Sequence, residues 1–392
     1  MKGQGMRAVV TVFALWLAGL GSAAQFGKLS VAFDLMAARY PEQGAAGIGL
    51  IVSIVGIVGL IFGTTAGLLV ARIGPRRAIV AALALGAAVS VLQTLPLPYA
   101  ALILTRVLEG VSHLAIVVVG PTMIAGIASQ RHQGLAMTLW SSFFGVTYAL
   151  LAVIGPPLLA EGSIAPLFLA HAGWMAALAL ILRGLLPSDP PAPSLTLGSG
   201  LIAQHLAIYA SPRIAAPALG FVFYTALYVA VLTLLPPLLP EGQRALAAAG
   251  MPLFSIAISL TLGVWGLRYL TAVQMVQAGY AAGALATLLL WAGWGQGNLA
   301  LIAAFLLAGA MGIVQGASFA SIPQLNPAPE DRARASGAVA QLGNVGTTTG
   351  TPLLALMIGA MGPSGLIAFC LPLCLAGIAV HALQARRRAR QA

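Results

Sequence analysis

Charged side chains are scarce in this sequence. Only 7% of its 392 residues are charged, whereas about 25% is usual in soluble domains. Hydrophobic residues make up 60%, and the mean hydropathy is +0.98. A water-soluble protein of this size cannot cover its surface with so few charges. The composition therefore excludes a soluble enzyme or binding domain and indicates a membrane protein.

Cysteine is nearly absent, and the usual signatures of catalysis are missing. Cys370 and Cys374 are the only cysteines, and at i, i+4 in the last apolar segment we expect them to pack rather than to form a disulfide framework. The sequence has no phosphate-binding loop, no metal-ligand spacing and no grouping that suggests a hydrolytic triad. We therefore expect no enzyme activity, no metal or cofactor and no direct use of ATP.

What the sequence has instead is a series of long apolar segments. Its 46 Gly and 24 Pro exclude a regular coiled coil, but both residues are tolerated in membrane helices. Apolar length and breaks at charges, Pro and Gly predict an all-α membrane protein with twelve spanning helices. The helices are expected near residues 9–37, 46–70, 78–96, 99–126, 135–159, 165–186, 214–239, 247–266, 271–292, 298–322, 335–360 and 364–384.

The first apolar segment has some features of a cleavable signal peptide. Lys2 and Arg7 precede it, and it runs to "GSAAQ". The apolar run resumes after Gln25 as "FGKLSVAFDLMA", however, and its removal would leave an odd number of helices. We therefore expect this segment to remain as helix one.

The basic residues are distributed one-sidedly. With both termini in the cytoplasm, Arg39 and Arg244 lie on the opposite side, and Lys28 and Arg106 fall within spans. The other basic residues are cytoplasmic: Lys2, Arg7, Arg72, Arg76, Arg77, Arg131, Arg183, Arg213, Arg268, Arg332, Arg334, Arg386, Arg387, Arg388 and Arg390. This bias predicts that both termini are cytoplasmic, and we expect the protein in the bacterial inner membrane. The net charge of +11 then reflects orientation near anionic lipid, and we expect no nucleic-acid partner.

A polar loop divides the chain. "LPSDPPAPSLTLGSG" is rich in Pro, Ser and Gly and predicts a linker. We expect an N-terminal six-helix bundle at 1–186, a cytoplasmic linker at 187–213 and a C-terminal six-helix bundle with a basic tail at 214–392. The two halves also share short sequence matches at a constant offset. Pro41-Glu42 and Gly110 of the first half correspond to Pro240-Glu241 and Gly309 of the second, 199 residues later. Such repeats are typical of secondary transporters.

Two motifs resemble those of the major facilitator superfamily. "GLLVARIGPRR" is similar to the family's loop between helices two and three, and "RVLEG" is similar to its helix-four motif. The matching loop residues are Gly67, Leu69, Arg72, Gly74, Arg76 and Arg77, and those of helix four are Arg106 and Gly110. The resemblance implies two pseudo-symmetric six-helix bundles around a central cavity. Short segments such as "GKLS" and "GLAMTLWSSFFG" also resemble those of bacterial cyanate and nitroimidazole-type members.

The chain departs from the family pattern in two places. Ala71 occupies the position of the loop's acid, and Pro75 stands where a basic residue is common. In helix five, Gly155-Pro156 match the antiporter motif but Leu151 replaces its preceding glycine, which puts drug/proton antiport in doubt.

The resemblance implies that this loop helps to close the cytoplasmic side. Glycine permits a tight reversal of the chain, and the loop arginines are within reach of carboxylates in other parts of the chain. Glu330 and Asp331 precede helix eleven, where acids suit a helix N-terminus. The gating candidates are Gly67, Arg72, Gly74, Arg76, Arg77, Glu330 and Asp331. The alternative is that these arginines only set membrane orientation.

Ionisable residues interrupt helices one and four. Arg106, Glu109 and His113 fall within about a 60° arc of one helix face. Gln25 and Lys28 share a face of helix one, and Asp34 follows nearer its external end. A charge at mid-membrane costs at least ~2.5 kcal/mol, so it should face a wet cavity or a partner. The resemblance implies that both helices line the central cavity.

The second half offers neutral polar groups in its corresponding helices. They are Tyr224, Tyr228, Gln315, Gln341 and Asn344. Together with Gln25, Lys28, Arg106 and His113 they are candidate substrate-binding residues. Trp140, Trp174, Trp291 and Trp294 are expected in interfacial belts.

These residues predict a proton-coupled secondary transporter of a small polar or anionic organic solute, and we expect it to act as a monomer in the lipid bilayer. Lys28 and Arg106 would attract the anion, and Asp34, Glu109 and His113 would carry protons. Simpler interpretations stay open: a self-neutralising Arg106–Glu109 pair, a packing His113, a solvated Asp34 or a snorkelling Lys28. Two other functions also remain, a proton-driven exporter of hydrophobic drugs or metabolites and a non-transporting sensor or assembly factor.

Overall fold

The computed structural model describes residues 2–129, 132–189 and 201–391. Every regular element in these residues is helical. In the first half the helices are α1 (Lys2–Val31), α2 (Phe33–Arg39), α3 (Gly44–Ser53), α4 (Ile57–Phe62), α5 (Ala66–Ile73), α6 (Pro75–Leu92), α7 (Tyr99–Ile127), α8 (Gln133–Ser141), α9 (Phe143–Leu159) and α10 (Ala165–Leu185). Single 3₁₀ turns at Pro41–Gln43 and Ile54–Gly56 precede α3 and α4.

The second half continues in the same way. Its helices are α11 (Leu201–Ala210), α12 (Ala215–Leu234), α13 (Glu241–Ile258), α14 (Val264–Gly266), α15 (Ala272–Ala292), α16 (Leu299–Leu325), α17 (Pro329–Met361) and α18 (Ser364–Ala389). A 3₁₀ turn, Pro236–Leu238, follows α12, and a π-helical turn, Ser259–Gly263, joins α13 to α14. Helix α11 lies within the predicted linker, whereas residues 190–200 and Arg131 lie outside the described residues.

The predicted all-α membrane fold is confirmed. Within the described residues, ten helices are long and apolar enough to cross a membrane, and the pair α8 and α9, bent by 46° where they join, makes eleven if it counts as one span. Helix α17 covers the span predicted at 335–360, and its 33 residues extend about 50 Å, longer than the hydrocarbon core. Its hydropathy is low because it opens with charged residues and carries several threonines.

Contacts within the chain define two units. The first consists of Met1–Pro41, Ile54–Val58 and Thr65–Thr196, and the second of Glu42–Ser53, Gly59–Thr64 and Leu197–Ala392. Helix α3 therefore belongs to the second unit and α5 to the first.

The core of the first unit is an apolar cluster that includes Leu15, Ile79 and Ile116. Trp140 belongs to this cluster, because it is 7% exposed and lies against Gly19 and Gly120. The prediction that Trp140 lies in an interfacial belt was wrong, since two glycines leave room for its ring inside the bundle. Trp174 and Trp291, by contrast, are exposed.

The second unit is held by close helix packing. Gly346 and Gly350 of α17 form a Gly-x-x-x-Gly pair that lies directly against the backbone of Val222 and Ala226 in α12. Small residues at this spacing let two helix backbones approach, which favours association where lipid replaces water.

Candidate functional site

Three charged side chains meet inside the first unit. Lys28 of α1 lies with its Nζ 2.5 Å from Oε1 of Glu109 in α7. Arg106, one turn before Glu109, forms an ion pair with the other carboxylate oxygen, Oε2. All three side chains are 0% exposed. We call Lys28, Arg106 and Glu109 the buried charge cluster.

Uncharged groups complete the coordination of Lys28. Its ammonium donates to Ser90 Oγ at 2.6 Å and to Gln93 Oε1 at 2.9 Å, in addition to Glu109. These are as many bonds as an ammonium has hydrogens. Its Nζ also lies 4.5 Å from the centroid of the Phe168 ring in α10, a favourable cation–π distance. Helices α1, α6, α7 and α10 therefore all hold this lysine.

Gln93 fixes the geometry from the end of α6. Its Nε2 donates to Glu109 Oε2 at 2.9 Å and to Thr105 Oγ1 at 3.1 Å, while its oxygen accepts from Lys28. Ser90 and Gln93 are at i, i+3 and so lie on one face of α6. The amide thus orients both partners of the Lys28–Glu109 ion pair.

The buried charge cluster does not balance its own charge. It contains two cations and one carboxylate, a formal charge of +1. All eight acidic residues of the chain are described, and Glu109 is the one that reaches these cations. A buried charge must be compensated or neutralised because its desolvation is costly. The site can therefore attract an anion or release a proton.

A second polar layer lies beside the cluster. His113 Nδ1 is 2.7 Å from Ser22 Oγ, and its ring meets that of Phe26 edge-on at 5.0 Å. Gln25 donates to Ser112 Oγ at 2.9 Å. A Cβ on Gly86 would lie 2.8 Å from that hydroxyl, so glycine is needed there.

The candidates of the second unit are spread over three helices. Tyr224 and Tyr228 of α12 are buried, with stacked rings 5.2 Å apart. In α17, Gln341 donates to Leu60 O at 2.9 Å and accepts from Tyr209 at 2.7 Å. Burial raises the pKa of Tyr209 to about 12, so its hydroxyl stays protonated.

The two remaining amides of the second unit are half-buried. Asn344 donates to Ala340 O at 2.7 Å, one turn earlier in α17, and packs against Gly59. Gln315 lies in α16. All these groups are neutral.

Asp34 lies apart from the buried charge cluster. It occupies the first turn of α2 and is exposed. Of the three candidate proton carriers, Glu109 contacts the two cations and His113 belongs to the neighbouring polar layer.

A carboxylate that we did not predict from the sequence accepts hydrogen bonds from the loop motif. Gly74 has φ of 97°, and Pro75 begins α6. The backbone N–H groups of Arg76 and Arg77 donate to the two oxygens of Asp189 at 2.7 and 3.0 Å. Asp189 follows α10 in the predicted linker, and its side chain is 4% exposed.

The other gating candidates are at the surface. Gly67 and Arg72 are exposed in α5. In the second unit Glu330 and Asp331 lie in the first turn of α17, and Asp331 pairs with Arg334 of its own helix at 3.5 Å.

Sequence reasoning missed four residues of these networks: Ser90, Gln93, His171 and Asp189. Ser90 and Gln93 carry a signal in hindsight, since two polar residues at i, i+3 interrupt the apolar end of α6. His171 is the one histidine of the sixth span, "LFLAHAGW". Asp189 sits in a Pro-rich stretch that looks like plain linker.

Comparisons with known proteins identify what the chain is similar to. A model of the Major Facilitator Superfamily matches residues 12–325. The inner membrane transport protein YajR of Escherichia coli (strain K12) is 30% identical over 218 residues, which make up 54% of this chain and 45% of YajR. The match therefore spans a little under half the length of that relative.

Solved structures share the fold. The crystal structure of a bacterial homolog of the human lysosomal transporter Spinster, inward-facing and occupied, has a TM-score of 0.72 at 14% identity, covering 96% of this chain and 97% of that one. The human organic anion transporter MFSD10 (TETRAN) has a TM-score of 0.68 at 19% identity, covering 96% and 99%.

Proposed function

The chain belongs to the major facilitator superfamily and is a multi-pass membrane transporter rather than an enzyme, and from this premise we propose that it carries a small anionic or strongly polar organic solute across the inner membrane. Transport would proceed by alternating access and be coupled to protons, with both termini in the cytoplasm. The observation that carries this proposal is the formal charge of +1 in the buried charge cluster.

The charge supports an anionic substrate for an electrostatic reason. An anion entering a low-dielectric site gains more from a cation than it would in water. Lys28 and Arg106 contact the single carboxylate of Glu109, so a bound carboxylate or phosphate would offset the formal charge of +1. Arginine is suited to this because its planar fork binds carboxylates with two hydrogen bonds.

The same contacts support proton coupling. Glu109 is bonded by Lys28, Arg106 and Gln93. A substrate anion that draws either cation away removes part of what keeps this carboxylate charged, and the carboxylate then binds a proton more readily. Substrate and proton would thus enter together, which favours symport.

The neutral candidates would provide orientation instead of charge. Gln25 and His113 in the first unit, and Tyr224, Tyr228, Gln315, Gln341 and Asn344 in the second, offer hydrogen bonds for hydroxyl or carbonyl groups of a solute. Pockets that bind small molecules commonly combine apolar walls with a few such groups. We keep Asp34 as a proton carrier at the exposed end, and the loop motif with Glu330 and Asp331 as the gate.

A ligand screen tests this function. Purified protein is heated with panels of organic anions, neutral solutes and cationic dyes at several pH values. A ligand at 100 times its Kd stabilises the folded protein by about 2.7 kcal/mol. We expect anions to raise the melting temperature of the wild type but not that of Lys28→Met. Arg268→Met, which removes an exposed arginine of the second unit, is the matched control and should respond like the wild type.

Flux measurements complete the test. Anions found by the screen should accumulate in proteoliposomes when a proton gradient is imposed, and should acidify the lumen as they enter. Stabilisation by cationic dyes alone, with their extrusion from loaded vesicles, would instead establish the exporter. Binding without any flux would establish a sensor.

A further inference from the structure

A chain of hydrogen bonds leads from Lys28 to a histidine that has no place in the mechanism so far. Ser90 Oγ lies 2.6 Å from Lys28 Nζ and 2.6 Å from His171 Nδ1. His171 Nε2 lies 2.9 Å from the carbonyl oxygen of Gly21. The four groups come from α1, α6 and α10, and Lys28, Ser90 and His171 are all buried.

The direction of each hydrogen bond follows from what each group can donate. A carbonyl oxygen only accepts, so the Nε2 of His171 must carry a hydrogen and donate to Gly21. In a neutral imidazole Nδ1 is then the acceptor, and the Ser90 hydroxyl donates to it. An ammonium only donates, so Lys28 donates to Ser90 Oγ. The chain therefore runs one way, from Lys28 through Ser90 to His171.

We propose that Ser90 and His171 form an internal proton relay for Lys28. Lys28 passes one proton to Ser90 Oγ, and Ser90 passes its own hydroxyl proton to His171 Nδ1. The ammonium becomes an amine, the imidazole becomes an imidazolium, and the total charge is unchanged. Every bond keeps a donor, because the imidazolium Nδ1–H then donates to Ser90 Oγ, whose hydroxyl donates to the amine.

The relay rests on the proposed proton coupling and adds a second site for the proton, at His171. The charged and titratable groups around it are Glu109, Arg106 and His113 of α7, in addition to Lys28. While Lys28 holds the proton it is paired with Glu109. When His171 holds the proton, the positive charge has left this ion pair and Glu109 is free to bind a proton of its own. His171 thus stores a proton inside the first unit, where it is buried from solvent.

The composition of the chain makes this relay observable. Lys2 and Lys28 are the only lysines, and there are five histidines. Protein labelled with ¹⁵N in lysine and histidine side chains therefore gives two ammonium signals, with Lys2 as an internal reference. His171→Gln identifies the imidazole signals of His171 by their loss. The measurement is made on the full chain in lipid nanodiscs and needs no substrate.

The wild type tests the direction of the chain. We expect His171 as the neutral Nε2–H tautomer beside a charged Lys28, and Ser90→Ala should shift the Nδ1 signal because its donor is lost. A neutral Nδ1–H tautomer in the wild type would overturn the relay, since Ser90 could then not deliver a proton to that atom.

Glu109→Gln tests the transfer itself. This substitution removes the carboxylate that holds the charge on Lys28, so we expect an amine at Lys28 together with an imidazolium at His171. Ser90→Ala in the same background should abolish the imidazolium. If Lys28 becomes an amine while His171 stays neutral, the proton has gone elsewhere and the relay is refuted. Failure of these experiments leaves the proposed function standing, because that function is tested by ligand stabilisation and flux.

Discussion

At the scale of single residues, Glu109 is the group on which the buried charge cluster depends. It accepts hydrogen bonds from both cations and from Gln93. Its removal leaves two buried cations without a carboxylate. Removal of Lys28 instead leaves a neutral Arg106–Glu109 pair. The two partners of one ion pair are therefore not equivalent.

This asymmetry predicts the stability of the variants. Glu109→Gln should lower stability by about 3–5 kcal/mol, the usual cost of breaking a buried ion pair. Lys28→Met should cost less, because the remaining charges cancel. The double variant should lie between them, since it keeps one positive charge of the cluster whereas Glu109→Gln keeps two. Melting temperatures in one detergent provide the measurement, and a Lys28→Met variant at least as unstable as Glu109→Gln would contradict the charge balance.

The sequence alone predicted only part of the contacts in the buried charge cluster. The i, i+3 spacing of Arg106 and Glu109 predicts that they share a helix face, which the structure confirms. The other half depends on residues 62 to 81 positions away from Lys28. Lys28 looked isolated because helical periodicity relates only neighbours within one helix. Which faces of α1, α6, α7 and α10 meet is decided by packing, and no single helix encodes it.

At the scale of elements, the first turn of α6 is capped from outside its own segment. A helix leaves its first backbone N–H groups without partners. Here Asp189, which lies 112 residues beyond Arg77, accepts two of them. Alanine occupies position 71, where the family motif has an acid. The Asp189 carboxylate reaches the same loop from the other end of the first unit's sequence. The contact also fixes where the linker leaves α10.

The cap predicts local exchange behaviour. Asp189→Ala should remove about 0.5–2 kcal/mol of capping energy from α6. A loss of 1.4 kcal/mol corresponds to about tenfold faster opening. Hydrogen–deuterium exchange of a peptide covering residues 75–80 should therefore speed up. Asp34→Ala, which removes an exposed acid of α2, is the control and should leave this peptide unchanged. Equal exchange in both variants would show that Asp189 does not cap the helix.

Helix positions were more predictable than side-chain partners. Apolar length predicted the fourth span at 99–126 and α7 covers Tyr99–Ile127, while the sixth was predicted at 165–186 and α10 covers Ala165–Leu185. Lipid requires every backbone group to be bonded within the helix, so length and hydropathy nearly determine these elements. Some ends differ, such as the start of α17 at Pro329, where charged residues extend a helix beyond the apolar segment.

At the scale of the whole molecule, charge is distributed unequally between the two units. Among the described residues, the charged side chains with no exposed surface are Lys28, Arg106 and Glu109, and all three belong to the first unit. Buried polar groups of the second unit, such as Thr351 and Gln384, are neutral. We infer that protons and substrate charge are handled by the first unit, whereas the second contributes shape and hydrogen bonds.

The distribution of basic residues makes a prediction about orientation. The predicted topology places fifteen of the 19 basic residues on the same side as both termini and the linker, so this side should be cytoplasmic. A membrane-impermeant maleimide should label Glu161→Cys in intact cells and label Ser188→Cys only after permeabilisation. Both positions are exposed, and the native Cys370 and Cys374 are fully buried, so background labelling should be low. Labelling of Ser188→Cys in intact cells would invert the topology. The gate would then lie on the outer face, and the basic tail would not face the anionic lipid of the cytoplasmic leaflet.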